Sequence, residues 1–149
     1  MSITVRTITI TGGADLAEPF ELSDAHAPKG AVMVIDPKQP GKLKLSRHAY
    51  DRRVAGVISG ANGINPGISL RQDGALEPGE NVALTGRVYV QADAAYGSIE
   101  PGDLLTTSDT EGHAMKVTDH TRAQGAILGK AMSALPSGRA MVLVLVTLQ

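Results

Sequence analysis

The chain has 149 residues, enough for one domain with a sizeable core, and a formal net charge of -1 with 19% charged residues. That balance, with no basic run, removes the electrostatic case for nucleic acid or an anionic membrane surface as partner. Cysteine and tryptophan are absent and Phe20, Tyr50, Tyr89 and Tyr96 are the aromatics, which excludes disulfides, thiolate metal sites and cysteine nucleophiles and argues against aromatic platforms for sugars or bases.

Taken in chain order, Ile3-Thr4-Val5 and Ile8-Thr9-Ile10 alternate as strands do, with a phase change near Arg6-Thr7 that predicts a bulge. Residues 1–13 thus read as an N-terminal strand or arm, and 14–149 as one β domain. Ala31 to Ile35 is a near-continuous apolar run after Gly30, Leu43-Lys44-Leu45 follows Pro40-Gly41, and Val54 to Ile58 runs into the turn Gly60-Ala61-Asn62-Gly63. Ile68-Ser69-Leu70, Val82-Ala83-Leu84, Val88-Tyr89-Val90, Leu104-Leu105, Met115-Lys116-Val117 and Ala126 to Leu128 continue the series. Asp73-Gly74, Glu77-Pro78-Gly79-Glu80 and Glu100-Pro101-Gly102-Asp103 are turn sequences. Met141 to Val146 predicts a strand buried on both faces.

Short apolar pieces separated by turn signals predict an all-β fold, a short-stranded barrel or β-clip-like sandwich. Helix has little room: Ser46 to Arg53, Asp119 to Gln124 and Ala14 to Glu18 each offer a turn or two. Residues 29–60 and 101–130 form a weak repeat. Lys29-Gly30-Ala31-Val32 matches Pro101-Gly102-Asp103-Leu104, Gly41-Lys42-Leu43 matches Gly112-His113-Ala114, and Gly56 to Gly60 matches Gly125 to Gly129. These predict two β units about a pseudo-twofold axis, with structural turns at Gly30, Gly56, Gly60, Gly86, Gly102, Gly112 and Gly129.

No signal peptide opens the sequence, and no apolar run approaches the ~20 residues that span a bilayer. The expectation is a protein made in the cytoplasm, working there or within a phage-like or extracellular particle, without membrane insertion. Among His26, His48, His113 and His120 no pair lies closer than seven residues, so no metal and no cofactor is expected. Ser59-Gly60 and Ser137-Gly138 lie outside any nucleophile elbow, and Gly60 and Gly63 precede no helix that would cradle a phosphate. The carboxylates most worth attention are Asp15 and Glu18, in a segment that carries the single Phe. Asp15 reads there as a turn residue and Phe20 as a core plug.

Ala14-Asp15-Leu16-Ala17-Glu18-Pro19-Phe20-Glu21, followed by Val54-Ala55-Gly56-Val57-Ile58-Ser59-Gly60, resembles a module at the C-termini of phage tail-fibre, appendage and large bacterial surface-type proteins. That group includes autoproteolytic intramolecular-chaperone domains, which assemble as trimers. The stretch from Gly86 to Ala131 resembles a bacterial version of the same module. The resemblance implies a homo-oligomer, a trimer by carry-over. It places Asp15 and Glu18 in the matching segment and assigns no nucleophile or scissile bond. Only residues 1–13 precede the module, so no long shaft is expected to be released.

The expected function is therefore a non-enzymatic, self-associating tip, cap or decoration of a larger assembly. Two alternatives stand beside it. One is a self-processing domain using Asp15, Glu18 or Ser59; the other is a small-ligand-binding barrel with the Gly60 to Gly67 loop and Tyr96 near its mouth.

Overall fold

The computed structural model describes residues 1–75 and 79–149. Ten strands make up nearly all of its regular structure: β1 (Asp15–Phe20), β2 (Val32–Ile35), β3 (Leu43–Leu45), β4 (Val54–Ile58), β5 (Pro66–Ser69), β6 (Glu80–Asp93), β7 (Leu104–Thr107), β8 (Ala114–Lys116), β9 (Ile127–Ala131) and β10 (Arg139–Thr147). A single four-residue helix, α1 (His120–Ala123), is joined by two short 3-10 turns at Ala61–Gly63 and Ala94–Tyr96. The predicted turn at Glu77-Pro78 lies outside the described residues.

Five strands close on themselves in the order β10, β9, β7, β8, β6, with β6 returning to β10. Each contributes to one buried cluster: Val88, Val90 and Ala92 from β6, Leu105 from β7, Ala114 from β8, Leu128 from β9, and Val142, Val144 and Val146 from β10. The barrel is thus filled by aliphatic side chains, each stabilising the fold by roughly 1.5–3 kcal/mol when the residue is a Val or Leu. Strands β4, β2 and β3 extend the sheet from β6, and β1 lies between β5 and the first half of β6. A second cluster, around Met33, Leu43, Ile58 and Val82, packs under that extension with Phe20 against it.

The repeat is visible in the pairing. Strand β2 pairs antiparallel with β3 and β4, as β7 does with β8 and β9. Each unit also carries a register shift at the corresponding place, Met33/Val34 in one and Leu105/Thr106 in the other. The partners there are Gly56 and Gly129, so the structural counterpart of Gly56 is Gly129 and not the Gly125 suggested by the sequence. Both lack room for a side chain: a Cβ on Gly56 would run into the Ala83 carbonyl oxygen, and one on Gly129 into that of Leu145. Strand-to-strand backbone approach at a bulge, more than turn geometry, explains these two glycines.

Several expectations are corrected. Gly56, Gly86 and Gly129 sit inside strands, whereas Gly30, Gly60, Gly102 and Gly112 lie at turns or strand ends. Val82 to Leu84 and Val88 to Val90 belong to one 14-residue strand that changes partner near Gly86, from β1 to β10. The Ala14 to Glu18 segment is strand from Asp15 on, not helix, because β5 and β6 pair with it on both sides. Ser46 to Arg53 is irregular because its amides find tertiary partners: Ala49 N–H donates to Asp109 (2.9 Å), Tyr50 N–H to the Thr107 carbonyl (3.2 Å) and Asp51 N–H to Thr107 Oγ1 (2.8 Å). Strand β10 is buried on one face only, with Leu145 39% exposed, and it is paired on both edges. Residues 1–12 form no strand, because none of the described residues pairs with them.

Candidate functional site

The best-defined polar site lies where the arm enters the domain. Gly13 passes so close to Asn65 and Pro66 that a Cβ there would collide with their carbonyl oxygens. Ala14 N–H donates to the Asn65 carbonyl at 3.0 Å. On the other side, a Cβ on Gly86 would stand 2.9 Å from the Ala14 carbonyl oxygen. Backbone therefore meets backbone on both flanks, and glycine is the residue that allows it. The clamp fixes Asp15, opposite Pro66 on β5 and Gly86 on β6, with its side chain turned inward.

Ser59 follows the last residue of β4, where its N–H donates to the Asn81 carbonyl at 2.9 Å. Its hydroxyl donates to Asp15 Oδ2 at 2.9 Å in a buried setting. Asp15 Oδ1 is buried without a hydrogen-bond partner among the described residues. Burial raises the Asp15 pKa above the ordinary carboxyl value, and the Ser59 hydrogen bond only partly offsets it. Beside the pair lies a concavity of about 290 Å³ whose lining includes Ile10, Gly13, Leu16, Ile68, Thr85 and Gly86. Its walls are largely apolar, and Ile10 brings the arm to its rim.

The structure thus brings together two of the three residues singled out in the sequence and leaves the third aside. Glu18 lies three residues along β1, opposite Val82, in the half-buried phase of the strand, whereas Asp15 and Ala17 occupy the buried phase. The Ser59 proton points at a carboxyl that burial holds toward its neutral form. Chemically the pair is a buried tie between β1 and the end of β4 that a nucleophile would require a further base to activate. The Gly60 to Gly67 loop packs on this end of the domain, against Gly13, Ala14 and Lys29. Tyr96 is engaged elsewhere, with its hydroxyl 3.0 Å from Thr110 Oγ1.

Sequence reasoning missed a second polar centre. Asp93, at the end of β6, is 2% exposed. It accepts hydrogen bonds from Ala95 N–H (2.9 Å), Thr110 Oγ1 (2.7 Å) and Arg139 Nε (3.1 Å). Burial works against its ionisation, but these three donors prevail and hold the carboxyl below its ordinary value. The available signal was a lone acid ending an alternating apolar strand, directly before a tight turn. It also missed Tyr50, whose φ of 55° is rare for a residue with a side chain.

Fold and site together define an all-β protein, a closed five-stranded barrel with a sheet extension and a clamped N-terminal arm. No protein-family model matches the chain, and no curated protein does.

Proposed function

We propose that this chain is a non-enzymatic assembly module that self-associates, as a tip, cap or decoration of a larger particle. The observation that carries this reading is the arm. Ile3 is 78% exposed and Ile8 71% exposed, with Val5 and Ile10 also exposed, in a β-branched segment without a partner strand. Four large apolar side chains on one extended segment are costly to leave in water, and a second protein surface is the usual remedy. Strand β5 supplies a complementary feature: among the described residues it pairs with β1 alone, and Ile68 beside the concavity and Leu70 just past the strand are both exposed. An arm from one copy laid along β5 of the next would cover both apolar sets, and the resemblance to tail-fibre modules favours three copies.

Light scattering on a sizing column tests the reading. The expected mass is a defined multiple of 15.5 kDa, three by carry-over. Deletion of residues 2–12 is expected to return the monomer with the barrel intact by circular dichroism. A full chain that is monomeric at micromolar concentration overturns the reading.

A second reading, self-processing, draws on the hydrogen bond between Ser59 and Asp15. It requires a mass loss on prolonged incubation that Ser59→Ala abolishes. An intact 15.5 kDa mass removes it.

A further inference from the structure

Tyr50 holds a left-handed backbone, with φ of 55°, while its side chain packs against the small cluster of Val117, Ala123 and Ile127. A positive φ at a bulky side chain is costly and persists where surroundings enforce it. Here they do so through the phenol. Its oxygen accepts hydrogen bonds from Thr118 N–H (3.1 Å) and Asp119 N–H (2.9 Å) and lies 3.2 Å from Thr118 Oγ1. The ring is thereby pinned between the loop after β3 and the segment that opens α1.

That pinned ring organises positive charge. The Arg122 guanidinium lies over it, 4.5 Å from the centroid. The stem of Arg52 passes over Gly125, with Cδ 3.7 Å from where a Cβ would stand. Both arginines then face one cleft of about 310 Å³, lined by Tyr50, Arg52, Thr121, Arg122 and Gln124, with no carboxylate in the wall. A neighbouring concavity of about 430 Å³ shares Tyr50 and Arg52 and adds His48, Ala49, Asp51 and Arg53, so the one acid in its wall is Asp51.

The nearby acids are engaged with other groups. Asp119 Oδ1 caps α1, accepting from Thr121 N–H (3.1 Å) and Arg122 N–H (3.2 Å). Asp51 Oδ1 accepts from Arg53 N–H at 2.8 Å and stands 3.9 Å from the Arg53 guanidinium. Among the described residues, Arg52 and Arg122 have no acidic partner within ion-pair distance.

We infer that the cleft between Arg52 and Arg122 binds a tetrahedral oxyanion, a phosphate or sulfate group. The two arginines come from different elements, with Thr121 and Gln124 also in the wall, so their forks approach from separate directions and do not share the single plane that a carboxylate's two oxygens define. A tetrahedral oxyanion offers three or four acceptors in directions that separate forks can meet. Stacking of Arg122 on Tyr50 and support of Arg52 by Gly125 limit the side-chain entropy lost on binding. Because the guanidiniums are open to solvent, the interaction is weak and salt-sensitive. This assignment is independent of the arm and of the assembly reading.

The test is a titration of the isotopically labelled full chain with sodium phosphate at constant ionic strength, followed by amide chemical shifts. Saturable shifts confined to Tyr50, Arg52 and the 118–125 segment are expected, with a midpoint on the order of 1 mM. Arg52→Gln and Arg122→Gln, with barrel shifts unchanged as the check on folding, are each expected to weaken the midpoint about tenfold. Arg87→Gln, on the far strand β6, leaves it unchanged. Sulfate matching phosphate assigns tetrahedral oxyanions in general, and a silent sulfate narrows the assignment to phosphate. Linear shifts, equal saturation in the Arg52 and Arg122 variants, or an acetate midpoint equal to that of phosphate overturns it.

Discussion

Ser59 and Asp15 are 44 residues apart in sequence, and the Ser59 hydroxyl donates to the Asp15 carboxyl at 2.9 Å inside the protein. One residue directly follows β4, in the sheet extension, and the other begins β1, where the arm joins the body. The bond therefore fastens the arm's root to the domain. Asp15 carries one oxygen satisfied by Ser59 and one without a partner among the described residues, so the root is held by a group that burial disfavours when ionised.

Loss of the hydroxyl should be felt as instability. Ser59→Ala leaves the buried Asp15 carboxyl without its donor and is expected to destabilise by about 1–3 kcal/mol in urea unfolding. Glu18→Ala, half-buried on the other face of β1, is expected to change stability by about 0.5 kcal/mol or less. Equal effects of the two would contradict the tie.

The raised pKa of Asp15 has a sign that can be measured. Between its unfolded value, about 3.9, and its higher folded value, the native state holds more protons than the unfolded state. Stability contributed by this group is therefore full below that range and declines as pH rises through it. Asp15→Asn removes the decline, so the difference in unfolding free energy, variant minus wild type, should grow as pH rises from about 4 to about 7. Parallel profiles would mean that Asp15 ionises in the fold as readily as in the unfolded chain.

Asp93 behaves in the opposite sense. Its donors hold the folded carboxyl below the unfolded value, so its contribution is present above about pH 4 and is lost as pH falls through the folded value. Asp93→Ala strands Ala95 N–H, removes the Thr110 and Arg139 acceptor, and is expected to cost about 3 kcal/mol at neutral pH. Arg139→Ala, whose side chain is 64% exposed, should cost about 1 kcal/mol or less. Thermal unfolding of the two variants at neutral pH, compared with the parent, checks the ranking.

The equivalent glycines of the two units should fail together. Gly56→Ala and Gly129→Ala each drive a methyl group into a neighbouring strand's carbonyl and are expected to lose at least about 3 kcal/mol or the soluble fold. Gly102→Ala, at a turn with φ of 94° and open space around it, should cost about 1 kcal/mol. Tolerance at Gly129 would show that β9 and β10 can separate there.

The strands of the two repeated units were legible because each is a short apolar run between glycine turns. Val32 to Ile35, Val54 to Ile58 and Leu104 to Thr107 all fall where that pattern puts them. The error at Gly125 arose because spacing between glycines is not register; the bulge opposite Leu105 sets Gly129 in the place of Gly56. Asp15 and Ser59 could each be singled out from their neighbourhoods, but their contact could not, since it depends on two loops and a strand placing them together.

By itself the sequence determined that this protein is β, aliphatic-cored and free of cysteine chemistry. Alternation, turn residues and composition are local properties, and they act before any distant contact forms. Tertiary structure alone decided that β6 is one strand that changes partner from β1 to β10, that β10 is interior to a closed barrel, and that the arm finds no mate among the described residues. It also decided which acids are strained and which are satisfied. The physical reason is shared: a strand's partner, a carboxyl's desolvation and a tyrosine's forced φ are all set by residues tens of positions away.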